Sequence, residues 1–181
     1  VSPHHTFRPG TFTVASETFQ HYVRDVCVSA GEWGVESVLL VNGHYLAQDP
    51  ELEVVVRELT TEHDLRAFHV PLSSVFEDAV SFHAAEFETA CMRSLHPDLV
   101  RMDRAERVDP PDDALPLTDY DAYGDNRVGW ALSADRMAEL TDAGHVGDPT
   151  VATAETGDRL VEEAVENVAE LVEALAALDG D

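Results

Sequence analysis

Hydrophobic residues at three- and four-residue spacing predict the first helix of the chain, over residues 16–30. Its apolar stripe consists of Phe19, Tyr22, Val23, Val26 and Cys27. Ser16 is the expected N-cap, and Gly31 and Gly34 are expected to end the helix. The β-branched and leucine-rich run at 37–41 is then typical of a parallel strand buried on both faces.

The next segments predict a second helix and a second strand. Residues 50–63 form a helical pattern with an apolar face made of Val54, Val55 and Leu59. The run at 65–70 reads as a strand, and the order strand, helix, strand implies a right-handed βαβ crossover. We therefore expect an α/β fold, a three-layer α/β/α sandwich with a mainly parallel central sheet.

The second half of the chain is predicted to contain two further helices. Helices are expected over 84–95 and 153–178, with a short strand at 99–102 between them. The stripe of the last helix consists of Val161, Val165, Val168, Val172, Leu175 and Ala176. Residues 103–125 are rich in Asp and Pro, which indicates a long surface excursion. No repeat or linker divides the chain, so one domain is expected over residues 1–181, and the lack of an initiator Met suggests a fragment truncated at its N-terminus.

The charge balance narrows the possible partners. The 181 residues include 36 acidic and 11 basic side chains, and all 11 basic side chains are Arg. The formal net charge is −25. Such a field repels nucleic acid phosphates and anionic lipid, so neither is an expected partner. No apolar run approaches the roughly 20 residues of a membrane helix. Because the acid is spread along the chain, a halophile's solvated surface is favoured over an acidic partner-binding surface, and the cytoplasm of a salt-loving microbe is the expected location.

The stretch "SVLLVNGHYLAQ" places an imidazole directly after a predicted strand. Ligands of open α/β sheets bind at the carboxyl ends of the strands, where His44 lies. Gly43 is expected to let the backbone turn there. A neutral imidazole in this position could bind a metal, although a loop histidine held by local hydrogen bonds is the commoner outcome.

Two further stretches bring histidines and carboxylates together. In "FHAAEFETACM", His83 stands near Glu86 and Glu88 at the start of a predicted helix. Acids in a first helical turn also interact favourably with the helix dipole, which would explain one Glu without any function. In "SPHHTFRPGTF", His4 and His5 precede a Pro-Gly turn and would be solvated in a flexible terminus.

Four stretches in this order resemble the creatininase (creatinine amidohydrolase) family: "SPHHTFRPGT", "LLVNGHY", "HAAEFETACMRSLHPDLVRMDRA" and "GDPTVATAETG". The resemblance implies an α/β/α fold, commonly hexameric, with two divalent metals such as zinc or manganese. It implies that His44 and Glu88 are metal ligands and that His83 is a catalytic acid/base. It also implies that Ser2 and Tyr45 contact a small-molecule amide substrate.

The sequence departs from the family pattern in ways that leave three functions open. The family's remaining ligands lie in a Glu-x-His…Asp segment that this sequence lacks, and Leu46 stands where creatininase has Glu. The first function is a metal-dependent hydrolase of a cyclic or formylated amide. A second is an archaeal formamide hydrolase of riboflavin and deazaflavin biosynthesis. The third is a non-enzymatic member with an incomplete metal centre.

Overall fold

A computed structural model of the chain describes residues 3–44, 48–76, 84–109 and 133–178. In these ranges the helices are α1 (Ser16–Glu32), α2 (Asp49–Glu62), α3 (Glu86–Leu95), α4 (Ala134–Leu140) and α5 (Ala154–Ala177), and the strands are β1 (Ser37–Asn42) and β2 (Arg66–Pro71). Short 3-10 turns include Pro3–His5 and Leu72–Val75. The predicted surface excursion lies largely outside these ranges. None of the described helices is long and apolar enough to cross a membrane.

The two strands form a parallel pair, as the βαβ pattern predicts. Ser37 lies opposite Arg66, and the register runs to Asn42 opposite Pro71. Helix α2 connects the strands and packs against β2, while α1 packs on α2. The buried core between them consists of Cys27, Val55, Leu59, Leu65 and Ala67. Because both strands run the same way, their carboxyl ends lie at one edge, where β1 ends next to His44.

A second packing unit joins α3 to α5. Gly157 of α5 and Ala90 of α3 are both buried at the crossing, and Ser94 donates a hydrogen bond to Asp158 beside it. The amino-terminal half of α5 carries this contact. Farther along, Val165 and Val172 are 64% and 48% exposed. Ala176, a third residue of the predicted stripe, is exposed as well, so the described part of the chain covers mainly the start of that face.

Three local predictions are wrong. Ala15, not Ser16, is the N-cap of α1, and the Ser16 hydroxyl instead donates to Glu51 Oε1 at 2.7 Å. The predicted strand at 99–102 is replaced by two 3-10 turns, Pro97–Leu99 and Met102–Arg104. Gly43 has no left-handed φ, and a Cβ built on it meets nothing within 4 Å. The turn after β1 therefore does not require glycine.

The start of α5 gives a first stability prediction. Thr153 is the N-cap, and its Oγ1 accepts a hydrogen bond from Thr156 N at 3.0 Å. Replacing Thr153 by Ala leaves that helix N–H without its side-chain acceptor, so we expect a loss of about 1 kcal/mol in the free energy of unfolding. Thr153→Ser, which keeps the hydroxyl, is the control. Equal urea midpoints for the Ala variant and the parent would contradict the cap.

Candidate functional site

The turn after β1 presents His44 at the carboxyl edge of the parallel pair. His44 is exposed, whereas Asn42, two residues earlier, is buried and 8% exposed. The His44 backbone N–H donates to Asn42 Oδ1 at 3.0 Å, so the Asn42 side chain closes the turn. This arrangement confirms that an imidazole follows the strand directly, at the edge where α/β sheets bind ligands.

A buried carboxylate lies directly behind this turn. Asp49, the first residue of α2, accepts two hydrogen bonds at Oδ1, from Asn42 Nδ2 at 2.6 Å and from His69 Nε2 at 2.9 Å. The Asp49 and His69 side chains are only 8% and 9% exposed. Asp49 Oδ2 is buried and has no hydrogen-bond partner among the described residues. One carboxylate oxygen thus ties together the end of β1, the start of α2 and the middle of β2.

Two more histidines lie near His44. The Pro3–His5 turn packs against α4, and the His4 and His5 rings are 4.3 Å apart between centroids. Burial lowers the pKa of both imidazoles, and the nearby His44 lowers the pKa of each further. The expectation that this pair belongs to a solvated, flexible terminus is wrong, because both side chains are partly buried in a folded turn. Neutral imidazoles, which these shifts favour, are the form that binds metals.

Glu88 has a structural contact of its own. Its Oε2 accepts a hydrogen bond from the backbone N–H of Ala84, which stands before the N-cap Ala85 of α3. Ala84 has a φ of +55°, in the left-handed region that favours glycine. The Glu88 carboxylate therefore holds a strained turn at the start of α3, much as the acid of a capping box does.

The structure describes only two of the five residues that the family resemblance singles out. His44 and Glu88 lie in the described ranges, while Ser2, Tyr45 and His83 lie outside them. The residues that the sequence reasoning missed are Asp49 and His69. The only sequence signals for them are a histidine within the predicted strand at 65–70 and an Asp-Pro pair just beyond the Asn-Gly-His turn.

The donors in the described part of the chain fit a metal in kind but not in number. Imidazole and carboxylate, as in His44 and Glu88, are donor types that zinc accepts. Within residues 3–44, 48–76, 84–109 and 133–178, however, no group of three or more His, Cys, Asp or Glu side chains could hold a metal ion. These ranges alone therefore do not form a metal centre.

Comparison with known proteins places this chain in a family. The Creatininase family model, described as creatinine amidohydrolase, matches residues 1–172. The chain therefore belongs to the creatininase family, a family of amidohydrolases, and the sequence-based assignment is confirmed. No curated protein matches the chain in sequence.

Solved structures confirm the α/β fold. The protein assigned as creatinine amidohydrolase in Bacteroides fragilis NCTC 9343 superposes with a TM-score of 0.76 at 24% identity, covering 97% of this chain and 68% of that one. A creatininase variant of Zn-Zn type gives a TM-score of 0.68 at 22% identity, covering 92% of this chain and 67% of that one. A creatininase with Mn gives the same values. The expectation of divalent zinc or manganese is thus confirmed for these creatininases. The present chain spans 67% of the length of each.

Proposed function

We propose that this protein is a metal-dependent amidohydrolase that cleaves a C–N bond of a small cyclic or formylated amide. The observation that carries the proposal is the placement of His44, on an ordered turn at the carboxyl edge of the parallel strands, in a chain of the creatininase family. In this proposal His44 and Glu88 hold metal, and Ser2 and Tyr45 contact the amide. The metals would supply a hydroxide near neutral pH, and His83 would protonate the departing nitrogen.

The proposal extends to the setting in which the enzyme works. A net charge of −25 with no lysine supports a cytoplasm rich in salt, where a surface of this kind is screened. Family resemblance supports a homo-oligomer, most simply a hexamer. A small uncharged or weakly charged amide suits this acidic protein better than a polyanionic substrate would.

One observation favours a second candidate function, that of a family member without a working metal centre. The Glu88 carboxylate already accepts the Ala84 N–H, and the described residues contain no group of three metal-binding side chains. A chain that kept the fold for assembly alone would need Glu88 only for this helix start. The two candidates differ in metal content, so one measurement separates them.

Elemental analysis of protein purified in high salt tests the proposed function. We expect close to two zinc or manganese ions per chain in the parent and fewer than one in His44→Ala, because removing an imidazole ligand leaves the others too weak to retain the ion. Hydrolysis of a panel of cyclic and formylated amides is measured on the same samples. His21→Ala, which changes an exposed histidine on α1, is the matched control.

The outcomes of this experiment decide between the two candidates. Metal in the parent and in His21→Ala, together with hydrolysis that His44→Ala abolishes, supports the amidohydrolase. A parent that binds no metal and cleaves no member of the panel would establish the non-enzymatic candidate. If His44→Ala retains all of its metal, His44 is not a ligand of the metal centre.

A further inference from the structure

The Asp49 carboxylate is an unusual group to bury at this position. Its side chain is 8% exposed, it has a single charge, and only one of its two oxygens is hydrogen-bonded among the described residues. Burying a carboxylate is unfavourable unless both its charge and its lone pairs find partners. An apolar residue would fill the same space at less cost, so stability alone does not account for Asp49.

The contacts of Asp49 point to one place, the turn that carries His44. Asp49 Oδ1 holds Asn42 Nδ2 at 2.6 Å, and the opposite end of the same amide, Asn42 Oδ1, holds the His44 N–H at 3.0 Å. The carboxylate thereby fixes which way the Asn42 amide faces, since only the NH₂ end can donate to it. A flipped amide would present its NH₂ to the His44 N–H, and two donors cannot bond to each other.

His69 fixes Asp49 from the other side. Its Nε2 lies 2.9 Å from the same Oδ1, and because an ionised carboxylate only accepts, the ring proton is on Nε2. His69 lies on β2 opposite Leu40 of β1, so its position is set by the register of the parallel pair. The path from His69 through Asp49 and Asn42 therefore connects the rigid sheet to the backbone of His44.

We propose that Asp49 and His69 are positioning residues, a buried carboxylate–imidazole pair that orients the Asn42 amide and thereby fixes the turn that presents His44. The inference about the turn stands on the geometry alone. Its consequence for metal binding rests on the proposed function, in which His44 is a ligand. Ligands are held more tightly when their supporting groups are themselves hydrogen-bonded, so loosening this turn weakens the ligand.

A donor–acceptor exchange between positions 42 and 49 tests the proposal. In Asn42→Asp two carboxylates face each other, and in Asp49→Asn two amides do. In the double variant, the amide introduced at position 49 can place its NH₂ group where the parent has Asp49 Oδ1. One of its two hydrogens can then be donated to the carboxylate introduced at position 42, and the other to His69 Nε2 in the tautomer that carries the ring proton on Nδ1. The second oxygen of that carboxylate can still accept from the His44 N–H, so all three hydrogen bonds can form again.

The first readout is hydrogen–deuterium exchange of the His44 amide, measured by NMR. We expect Asn42→Asp to speed this exchange about tenfold or more, because repulsion between the facing carboxylates moves the side chain at position 42 away from the His44 N–H. The double variant should return to within about threefold of the parent, since it regains each hydrogen bond. Amides in the middle of α5 report global opening, and Asp98→Asn, at an exposed acid, is the control for the loss of one acidic charge.

The second readout is zinc affinity by competition with a chelator. We expect Asn42→Asp to weaken zinc binding about 10- to 100-fold and the double variant to restore it. Exchange that is restored in the double variant while no variant, parent included, binds zinc would support the positioning pair and refute the metal-dependent function. The two hypotheses can therefore fail separately.

Three results would overturn the proposal. One is a His44 amide that exchanges at the parent rate in Asn42→Asp. Another is a double variant whose exchange at His44 equals the combined effect of its single changes, which would show that the two side chains do not act as a pair. The third is faster exchange across α5 in every variant, which would assign Asp49 to general stability.

Discussion

Replacing Gly157 by Ala should lower the free energy of unfolding by about 2–3 kcal/mol, since overpacking at a site that cannot expand typically costs that much. A Cβ on Gly157 would overlap the carbonyl oxygen of Ala90 and lie 2.5 Å from its carbonyl carbon and 2.9 Å from Ser94 Cβ. The first two are backbone atoms of α3, which cannot move away as a flexible side chain can. The α3–α5 crossing would therefore have to widen.

The sign of this effect is the informative part. Within a helix, Gly→Ala normally stabilises by about 1 kcal/mol, because Ala has the higher helix propensity. A loss of stability can therefore arise only from the close approach of the two helices. Thermal unfolding in high salt should show a midpoint lowered by roughly 5–10 °C for a chain of this size.

Gly43→Ala is the matched control for this measurement. A Cβ at position 43 meets nothing within 4 Å, and Gly43 does not have a left-handed φ. We expect its free energy of unfolding to stay within about 0.5 kcal/mol of the parent, as for most surface changes. A Gly157→Ala variant as stable as Gly43→Ala would show that α3 and α5 are farther apart than the structure places them.

Features that depend on local periodicity were predictable from the sequence. The apolar spacing locates α1, α2 and α5 to within two residues, and the order of strand and helix implies the parallel pairing of β1 with β2. These features follow from which face of each element is apolar, and a sequence displays that directly. The family resemblance added His44 and Glu88 as candidates, with no information on what else these side chains contact.

Features that depend on contacts between distant residues were not predictable. The Ser16 hydroxyl bonds Glu51, 35 positions away, instead of capping its own helix. His69 reaches Asp49 only because the strand register places it opposite Leu40. The short run at 99–102 is compatible with either a strand or turns. In the structure its two ends belong to the 3-10 turns Pro97–Leu99 and Met102–Arg104. In each case the tertiary environment selected among options that the local sequence left equal.

Glu88 is the residue for which a structural and a catalytic role can be separated. Gln at position 88 keeps an oxygen that can accept the Ala84 N–H but removes the negative charge. Hydrogen bonds to charged groups contribute about 1 kcal/mol more than neutral ones, so we expect Glu88→Gln to lose about that much stability and Glu88→Ala about 2 kcal/mol. The urea midpoint should therefore fall in the order parent, Glu88→Gln, Glu88→Ala. This order reports only the role of Glu88 at the start of α3.

Metal content follows a different order if Glu88 is also a ligand. An amide oxygen is a far weaker donor to zinc than a carboxylate, so Glu88→Gln should lose bound metal as fully as Glu88→Ala does. Hydrolysis should fall at least about 100-fold in both, since even outer-shell partners account for about 10- to 100-fold. Glu86→Gln removes the same charge from the same first turn of α3 and should keep the metal. If Glu88→Gln also keeps it, the carboxylate serves only to hold Ala84, and the metal centre has to be built from other residues of the chain.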